Sequence, residues 1–310
     1  MFLVCGEALF DLFPGDEIGP GALRFDAHAG GSPFNVAVGM ARLGGQAALF
    51  TGVSRDMLGE RLARVIAGEG VDTRYLVRTG RRTTLSVVGL NAGGQPNYAF
   101  YGVGSADCSL AEADLPVLDG SVTGLHFGSY SIVVRPVADA FAALAARERR
   151  RFIALDPNVR PSIEPDILVW RTRIDAFLKV ANLVKVSDED LRLLYPDLEP
   201  IAVAERWALD GPDLVVYTRG DQDVIALRRG ETIRVTPPTV AVVDTVGAGD
   251  AFQAALLARL SRHDDPSAFL ATASTDRLAV LIEHAALAAA ITCSRRGADI
   301  ARMADIETAS

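Results

Sequence analysis

The chain has 310 residues, and 49% of them are apolar, which is enough to bury one large core or one domain with a small addition. The formal net charge of −8 offers no counterion-release free energy with a polyanion, so we expect neither nucleic acid nor an anionic membrane as a partner. The three cysteines, Cys5, Cys108 and Cys293, lie far apart and outside metal-binding spacings. The sequence has neither a signal-peptide pattern nor an apolar run long enough to span a membrane. Together with the cysteine spacing, these features predict a cytoplasmic protein with free thiols.

Short apolar runs typical of buried strands alternate with segments of helical periodicity. The predicted strands are Phe2–Cys5, Ala47–Phe50, Leu125–Phe127, Phe152–Leu155, Leu183–Val186 and Leu214–Thr218. The predicted helices include Phe34–Leu43, Leu58–Ile66, Val137–Arg149, Ile167–Lys179 and Ala251–Leu260. This alternation predicts an α/β fold in one domain, residues 1–310, with βαβ units around a mostly parallel sheet.

Two stretches break this alternation, because each contains strand-like runs and no helical periodicity. They are Leu9–Phe25, with a turn at Pro14–Asp16, and Thr83–Tyr101, whose two runs flank a turn at Asn91–Pro96. We therefore expect a small antiparallel sheet, inserted at about residues 9–25 and 83–103, that acts as a lid or a dimer surface.

The stretch DTVGAGDAF, Asp244–Phe252, predicts a phosphate site made from backbone groups. It follows a strand-like run at Thr239–Val243 and precedes a helix that starts near Ala248–Ala251, and ligands of open α/β sheets bind where strands end and helices begin. Gly247, Ala248 and Gly249 leave their N–H groups uncovered for an anion. The stretch matches neither a Walker A loop, which ends in Gly-Lys-Ser/Thr, nor the dinucleotide fingerprint, which needs a glycine at Phe252.

Asp250 would repel a phosphate at this position unless its carboxylate accepts the proton of an attacking hydroxyl. Phosphoryl transfer to an alcohol is the chemistry that this arrangement favours. The alternative, for the loop alone, is that Asp250 caps the helix and the glycines only turn the chain.

The whole chain resembles the ribokinase-like, PfkB-type carbohydrate kinases and is most similar to the fructokinases among them. The resemblance rests on seven motifs in a fixed order: GEALFD (6–11), GGSPFNVAVGMARLG (30–44), DPNVRP (156–161), KVSDED (185–190), YTRGDQD (217–223), DTVGAGDAF (244–252) and ITCSRRGA (291–298). It implies a three-layer αβα fold with a central, mostly parallel sheet and a small β-sheet lid. It also implies a homodimer through the lid.

The resemblance implies a set of site residues. Asp250 is the implied catalytic base, and the amides of Gly247, Ala248 and Gly249 form the implied anion hole. The implied sugar-binding residues are Asp11, Gly30, Gly31, Asn35, Phe100 and Arg160. The implied ATP-binding residues are Lys185, Thr218, Gly220, Gly247, Gly249 and Ala289. Arg160 could instead pair with Asp156.

For the metal ions, the resemblance implies Mg²⁺ organised by Asp190 and a K⁺ site near Asp244. Family members have glutamate where Asp190 stands, and the neighbouring Glu189 is the alternative carboxylate.

Fructose is the implied acceptor, with transfer of phosphate from ATP to its 6-hydroxyl. The segment GGSPFN lacks the lysine that relatives acting on ribose or on phosphorylated sugars carry after the two glycines, which favours an unphosphorylated sugar. Gly102 stands where many fructokinases have an arginine, so 2-keto-3-deoxygluconate, ribose and nucleosides remain alternatives. A silent sugar-binding protein is the alternative of another class, and intact Gly247, Gly249 and Asp250 argue against it.

Overall fold

The computed structural model describes residues 1–16, 19, 21–90 and 96–309. The strands, in chain order, are β1 (Phe2–Cys5), β2 (Leu9–Pro14), β3 (Phe25–Gly30), β4 (Ala47–Ser54), β5 (Leu76–Thr79), β6 (Leu85–Leu90), β7 (Pro96–Tyr101), β8 (Gly124–Gly128), β9 (Phe152–Asp156), β10 (Leu183–Ser187), β11 (Leu214–Thr218), β12 (Val224–Arg228) and β13 (Glu231–Val235). The helices are α1 (Ser32–Arg42), α2 (Met57–Gly68), α3 (Val137–Arg147), α4 (Ile167–Leu178), α5 (Asp188–Leu194), α6 (Pro200–Asp210), α7 (Ala248–Leu260), α8 (Pro266–Thr272), α9 (Thr275–Cys293) and α10 (Met303–Ala309). The six strands predicted to alternate with helices are all present.

The large sheet has nine strands in the order β13-β12-β11-β10-β9-β8-β1-β4-β5. The pairs from β11 to β5 are parallel, and β11, β12 and β13 pair antiparallel at one edge. Strand β1 shows why such strands are apolar throughout. Phe2 and Val4 point into one core cluster and Leu3 and Cys5 into the other, because successive side chains point to opposite faces.

The two core clusters define the outer layers of the fold. The cluster on one face of the sheet takes side chains from α1, α2, α7, α8 and α9, and the cluster on the other takes them from α3, α4, α5 and α6. The α/β fold with a mostly parallel sheet is confirmed. Among the described residues, no helix has both the length and the apolar character needed to cross a bilayer.

A smaller sheet stands beside the large one, in the order β3-β2-β6-β7. Strands β2 and β3 pair antiparallel, as do β6 and β7, while β2 and β6 are parallel to each other. The second strand of the first pair runs from Phe25 to Gly30, beyond the end of the predicted stretch. Of the predicted turn at Asn91–Pro96, residues 91–95 lie outside the described residues. The role of this sheet as a lid stays a prediction.

The strand predicted at Thr239–Val243 is absent, and this prediction was wrong. Val242 and Val243 are 63% and 62% exposed, so their apolar side chains do not reflect burial in a sheet. The segment is instead fixed to the end of α9, because the N–H groups of Val243 and Asp244 donate to the Cys293 carbonyl at 2.9 and 3.2 Å. The DTVGAGDAF loop thus reaches α7 from an irregular segment.

Candidate active site

Asp250 occupies the first turn of α7 and faces the start of α1. The Ser32 hydroxyl donates to Asp250 Oδ1 at 2.6 Å, and the Asn35 amide Nδ2 donates to Asp250 Oδ2 at 2.8 Å. All three side chains are at most 8% exposed. Two neutral donors therefore fix the orientation of a buried carboxylate without neutralising its charge.

The close packing of α1 against α7 brings these groups together. A Cβ on Gly39 would lie 2.7 Å from the Ala254 Cβ, so glycine at this position lets the two helices approach. Ser32 and Asn35 are three residues apart and therefore share a helix face. Sequence reasoning assigned Asn35 to the sugar and missed Ser32, although this spacing relative to Asn35 is a usable signal.

The loop before α7 exposes backbone N–H groups. Gly247 is the N-cap of α7, with φ at 79°, and an added Cβ would lie 2.7 Å from the Ala298 Cβ, so both conformation and space require glycine. The Ala248 N–H donates to the Thr245 carbonyl at 3.2 Å, which leaves it unavailable as one of the three predicted anion-hole amides. Within the described chain, the N–H groups of Gly247 and Gly249 have no hydrogen-bond partner.

A buried ammonium group lies beneath this loop. A Cβ on Gly249 would be 3.0 Å from Lys185 Nζ, and Lys185 forms a 2.8 Å ion pair with Asp156. Lys185 is 4% exposed and Asp156 is fully buried. The predicted alternative pairing of Arg160 with Asp156 was wrong, because Lys185 holds that position while the exposed Arg160 donates to the Val159 carbonyl.

Negative charges outnumber positive charges around the pair of Lys185 and Asp156. Burial raises the pKa of Asp156 to about 6, against the attraction of Lys185 and with further increases from Asp190 and Asp250. Burial alone would lower the pKa of Lys185, but the same three carboxylates raise it overall. Lys185 therefore remains protonated, and it places a positive charge next to the exposed N-terminus of α7.

Asp11 approaches Asp250 from the smaller sheet. A Cβ on Gly30 would lie 2.4 Å from Asp11 Oδ2, so the carboxylate rests against this glycine. Burial raises the pKa of Asp11, opposed by a hydrogen bond with Ser86, and the charge of Asp250 raises it further. His28 and Arg160 act in the opposite direction through their positive charge. Of the predicted sugar-binding residues, Asn35 thus contacts Asp250, Asp11 lies close enough for the Asp250 charge to raise its pKa, and Arg160 acts on Asp11.

The other predicted binding residues have separate surroundings in the structure. Phe100 packs edge-to-face on Tyr130, with ring centroids 4.9 Å apart. Thr218 ends β11 beside Ser187 of β10, and Gly220 follows with φ at 64° and open space around its α-carbon. Ala289 is half-buried on α9, the helix that packs against α7. A Cβ on Gly31 would meet the Glu7 carbonyl oxygen at 2.9 Å.

The two predicted metal-site carboxylates already accept hydrogen bonds. Asp190 Oδ1 accepts from the Val159 N–H at 2.7 Å, and its Oδ2 accepts from the Ser187 hydroxyl at 2.7 Å. Asp244 accepts from the N–H groups of Val246 and Gly297. Among the described residues, no group of three or more His, Cys, Asp or Glu side chains is arranged to hold a metal ion. A metal here would depend largely on phosphate oxygens and water, which suits Mg²⁺.

Comparisons with known proteins identify the family and its fold. A curated fructokinase from Rhizobium leguminosarum bv. trifolii is 40% identical over 84% of this chain and 79% of its own. A fructokinase structure with bound ATP from Xylella fastidiosa superposes with a TM-score of 0.89, at 27% identity over 99% of this chain and 97% of the other. A fructokinase structure from Vibrio cholerae O395 with fructose, ADP and a calcium ion superposes with a TM-score of 0.82, at 25% identity over 98% of this chain and 95% of the other. The family model for pfkB family carbohydrate kinases matches residues 2–304, and the chain, with its buried aspartate at an open helix N-terminus, belongs to that family.

Proposed function

We propose that this carbohydrate kinase is a fructokinase, which transfers the γ-phosphoryl group of ATP to the 6-hydroxyl of D-fructose and yields fructose 6-phosphate and ADP. The surroundings of Asp250 support the proposal: Asn35 donates to its carboxylate and Asp11 is close enough to sense its charge, while the free N–H groups of Gly247 and Gly249 precede it and the charge of Lys185 lies nearby. The curated relative named fructokinase and the neighbour with bound fructose and ADP support this choice of acceptor.

In the proposed reaction, Asp250 accepts the proton of the 6-hydroxyl as that oxygen bonds to the γ-phosphorus. The bond between the γ-phosphorus and the β–γ bridging oxygen breaks, and ADP leaves with that oxygen. A carboxylate suffices as the base because the hydroxyl becomes acidic only as its new bond forms. The free N–H groups of Gly247 and Gly249 and the Lys185 ammonium would stabilise the charge on the transferred group.

A panel of acceptors tests the proposal directly. The purified enzyme is assayed for ADP release with ATP, Mg²⁺ and D-fructose, ribose, 2-keto-3-deoxygluconate or adenosine. The highest kcat/KM should be for fructose, and the product should carry phosphate on oxygen 6. Faster turnover of another acceptor would refute fructose and keep the sugar kinase, while no ADP release with any acceptor would indicate a silent relative.

We also propose that Mg²⁺ is needed and that Asp190 organises its bound waters. When bound, the ion would neutralise phosphate charge as the bridging oxygen leaves. Asp190→Ala should raise the Mg²⁺ concentration for half-maximal activity, whereas Glu189→Ala should change it little because Glu189 is exposed. Asp190→Asn is the control for a purely structural effect, because it removes the charge of the side chain but keeps its size and most of its hydrogen bonds. The opposite ranking of Asp190 and Glu189 would contradict this assignment.

Three further features stay predictions: a K⁺ ion near Asp244, a cytoplasmic location, and a homodimer through the smaller sheet. Support for the dimer comes from apolar side chains at the edge strands of that sheet. Phe25 of β3 is 39% exposed and Tyr101 of β7 is 64% exposed. Edge strands with exposed apolar residues favour pairing with a second chain. Light scattering of the purified enzyme measures the mass that tests the dimer.

A further inference from the structure

A cavity of about 420 Å³ lies at the end of α7 that is remote from Asp250. It is formed by the last turn of α7, by α8 and by the first turns of α9. Arg259 contributes from α7, nine residues after Asp250, which corresponds to about 14 Å along a helix axis. The cavity is therefore separate from the catalytic centre but shares a helix with it.

Three arginines line this cavity, and their contacts are with uncharged groups. Arg259 Nη2 is 3.4 Å from His284 Nδ1, and Arg262 Nη2 donates to the Leu43 carbonyl at 3.4 Å. The Arg277 guanidinium carbon lies 4.9 Å from the centroid of the Phe269 ring. Across the described ranges, no carboxylate forms an ion pair with any of the three guanidinium groups.

Arg259 also carries a nitrogen without a hydrogen-bond partner. Its Nε is buried and has no hydrogen-bond partner. A buried donor on a charged group without a partner costs free energy, more than a neutral one does. An anionic ligand or an ordered water would recover part of that cost.

The histidines add no positive charge near neutral pH. Burial lowers the pKa of His263, and the charge of Arg277 lowers it further against the effect of Asp264. Burial lowers the pKa of His284 to about 4, with Arg259 and Arg262 acting in the same direction. Three guanidinium groups and one carboxylate, that of Asp276, line the cavity, and the exposed Asp264 adds a second negative charge beside His263. This local excess of positive charge lies in a chain whose net charge is −8.

We propose that this cavity binds a small organic phosphate monoester, of about the size of a hexose phosphate, outside the catalytic centre. Guanidinium groups bind phosphate oxygens with paired N–H donors, and a dianion matches the excess of cationic charge. Val280 and Leu281 supply an apolar wall for the carbon skeleton. The volume falls in the range of small-molecule pockets, about 300–1,000 Å³.

Calorimetric titration with fructose 6-phosphate tests the proposal. The catalytic centre is first filled with fructose, Mg²⁺ and a non-hydrolysable ATP analogue, and inorganic phosphate is titrated in parallel. We expect one saturable site per chain for fructose 6-phosphate, and weaker binding of inorganic phosphate to the same site. Fructose 6-phosphate bound in the catalytic centre instead would bind equally to wild type and to variants of the cavity arginines, so the comparison with those variants holds whichever acceptor the enzyme uses.

Two exposed arginines provide the variants. Arg262→Ala and Arg277→Ala should each weaken binding of fructose 6-phosphate at least about tenfold, since each removes a charged donor to phosphate. Arg64→Ala is the matched control, because Arg64 is an exposed arginine of α2 that does not line the cavity, and it should leave binding unchanged. Absence of saturable binding up to about 10 mM, or equal affinity in all variants, would overturn the proposal.

Discussion

Six helices of this kinase illustrate two different ways of beginning. Helices α2, α4, α8 and α9 start after Asp56, Asp166, Asp265 and Ser274, and each of these side chains accepts a backbone N–H of the first turn. Helices α1 and α7 start after Gly31 and Gly247, which have no side chain to cap them. None of these four caps contacts Asp250 in the described part of the chain, whereas the two glycine-started helices meet there.

The difference shows how the fold separates stability from function. A side-chain cap satisfies orphan N–H groups and stabilises a helix by about 1 kcal/mol. Omitting the cap at α7 gives up that stabilisation but leaves the amides of Gly247 and Gly249 for a ligand. At α1 the first turn instead supplies side chains, since Ser32 and Asn35 hold the Asp250 carboxylate.

The largest expected effect is that of Asp250→Asn, which removes the charge at the meeting point of the two helices. The kcat for fructose should fall at least about a hundredfold, the usual scale for a general base, while fructose and ATP still bind. Steady-state kinetics and calorimetric binding measure the two quantities. A near-normal kcat would contradict the role of Asp250 as the base.

The next effect tests the uncapped start of α7. Gly247→Ala places an alanine in the left-handed backbone conformation and brings its Cβ against Ala298. The loop must shift to relieve both, so the N–H groups of residues 247 and 249 move and kcat/KM should fall roughly tenfold to a hundredfold. Gly70→Ala is a matched control, because Gly70 has the same φ of 79° with nothing within 4 Å of the added Cβ. It should lower the free energy of unfolding by about 1–2 kcal/mol and leave kcat/KM unchanged. Equal losses of activity in both variants would show that the Gly247 effect is only a loss of stability.

A smaller effect is expected for Ser32→Ala in α1. Asp250 Oδ1 would lose its 2.6 Å hydrogen bond, so kcat should fall roughly tenfold, and the free energy of unfolding should fall by about 1–3 kcal/mol because a buried acceptor is left unpaired. Asp166→Ala removes a true cap, that of α4, and should lower the free energy of unfolding by about 1 kcal/mol with unchanged kcat. Kinetics and urea unfolding of both variants separate the two roles. Normal kcat for Ser32→Ala would show that Asn35 alone orients the carboxylate.

The sequence predicted the elements that depend on local pattern. The strand Phe2–Cys5 followed from an apolar run, and the start of α7 followed from the glycines before Asp250. The prediction of a strand at Thr239–Val243 was wrong because a run of exposed valines looks the same in sequence as a buried strand. The two prolines before it, Pro237 and Pro238, favour irregular backbone.

Contacts between distant residues were harder to predict. Ser32 and Asp250 are separated by 218 positions, and their hydrogen bond depends on how closely α1 packs on α7. The pairing of Lys185 with Asp156 likewise arises from the adjacent places of β9 and β10 in the sheet. Neither the strand order nor the helix approach is encoded in a local pattern, so these partners appear only in the folded chain.

The last prediction concerns Glu7, whose carbonyl oxygen covers Gly31 at the start of α1. Burial raises the pKa of Glu7 to about 7, with hydrogen bonds from Ser131 and Ser129 acting the other way. The folded chain therefore holds a proton that the unfolded chain releases near its ordinary pKa of 4.5, so this contribution to stability is present below that pH and is lost as the pH rises through about 7. In Glu7→Gln, the fall in the free energy of unfolding between about pH 5 and pH 8 should be smaller by roughly 2–3 kcal/mol, as measured by urea unfolding. The exposed Glu112→Gln should leave the fall unchanged, and an equal pH dependence in wild type and Glu7→Gln would show that Glu7 is ionised in the folded chain.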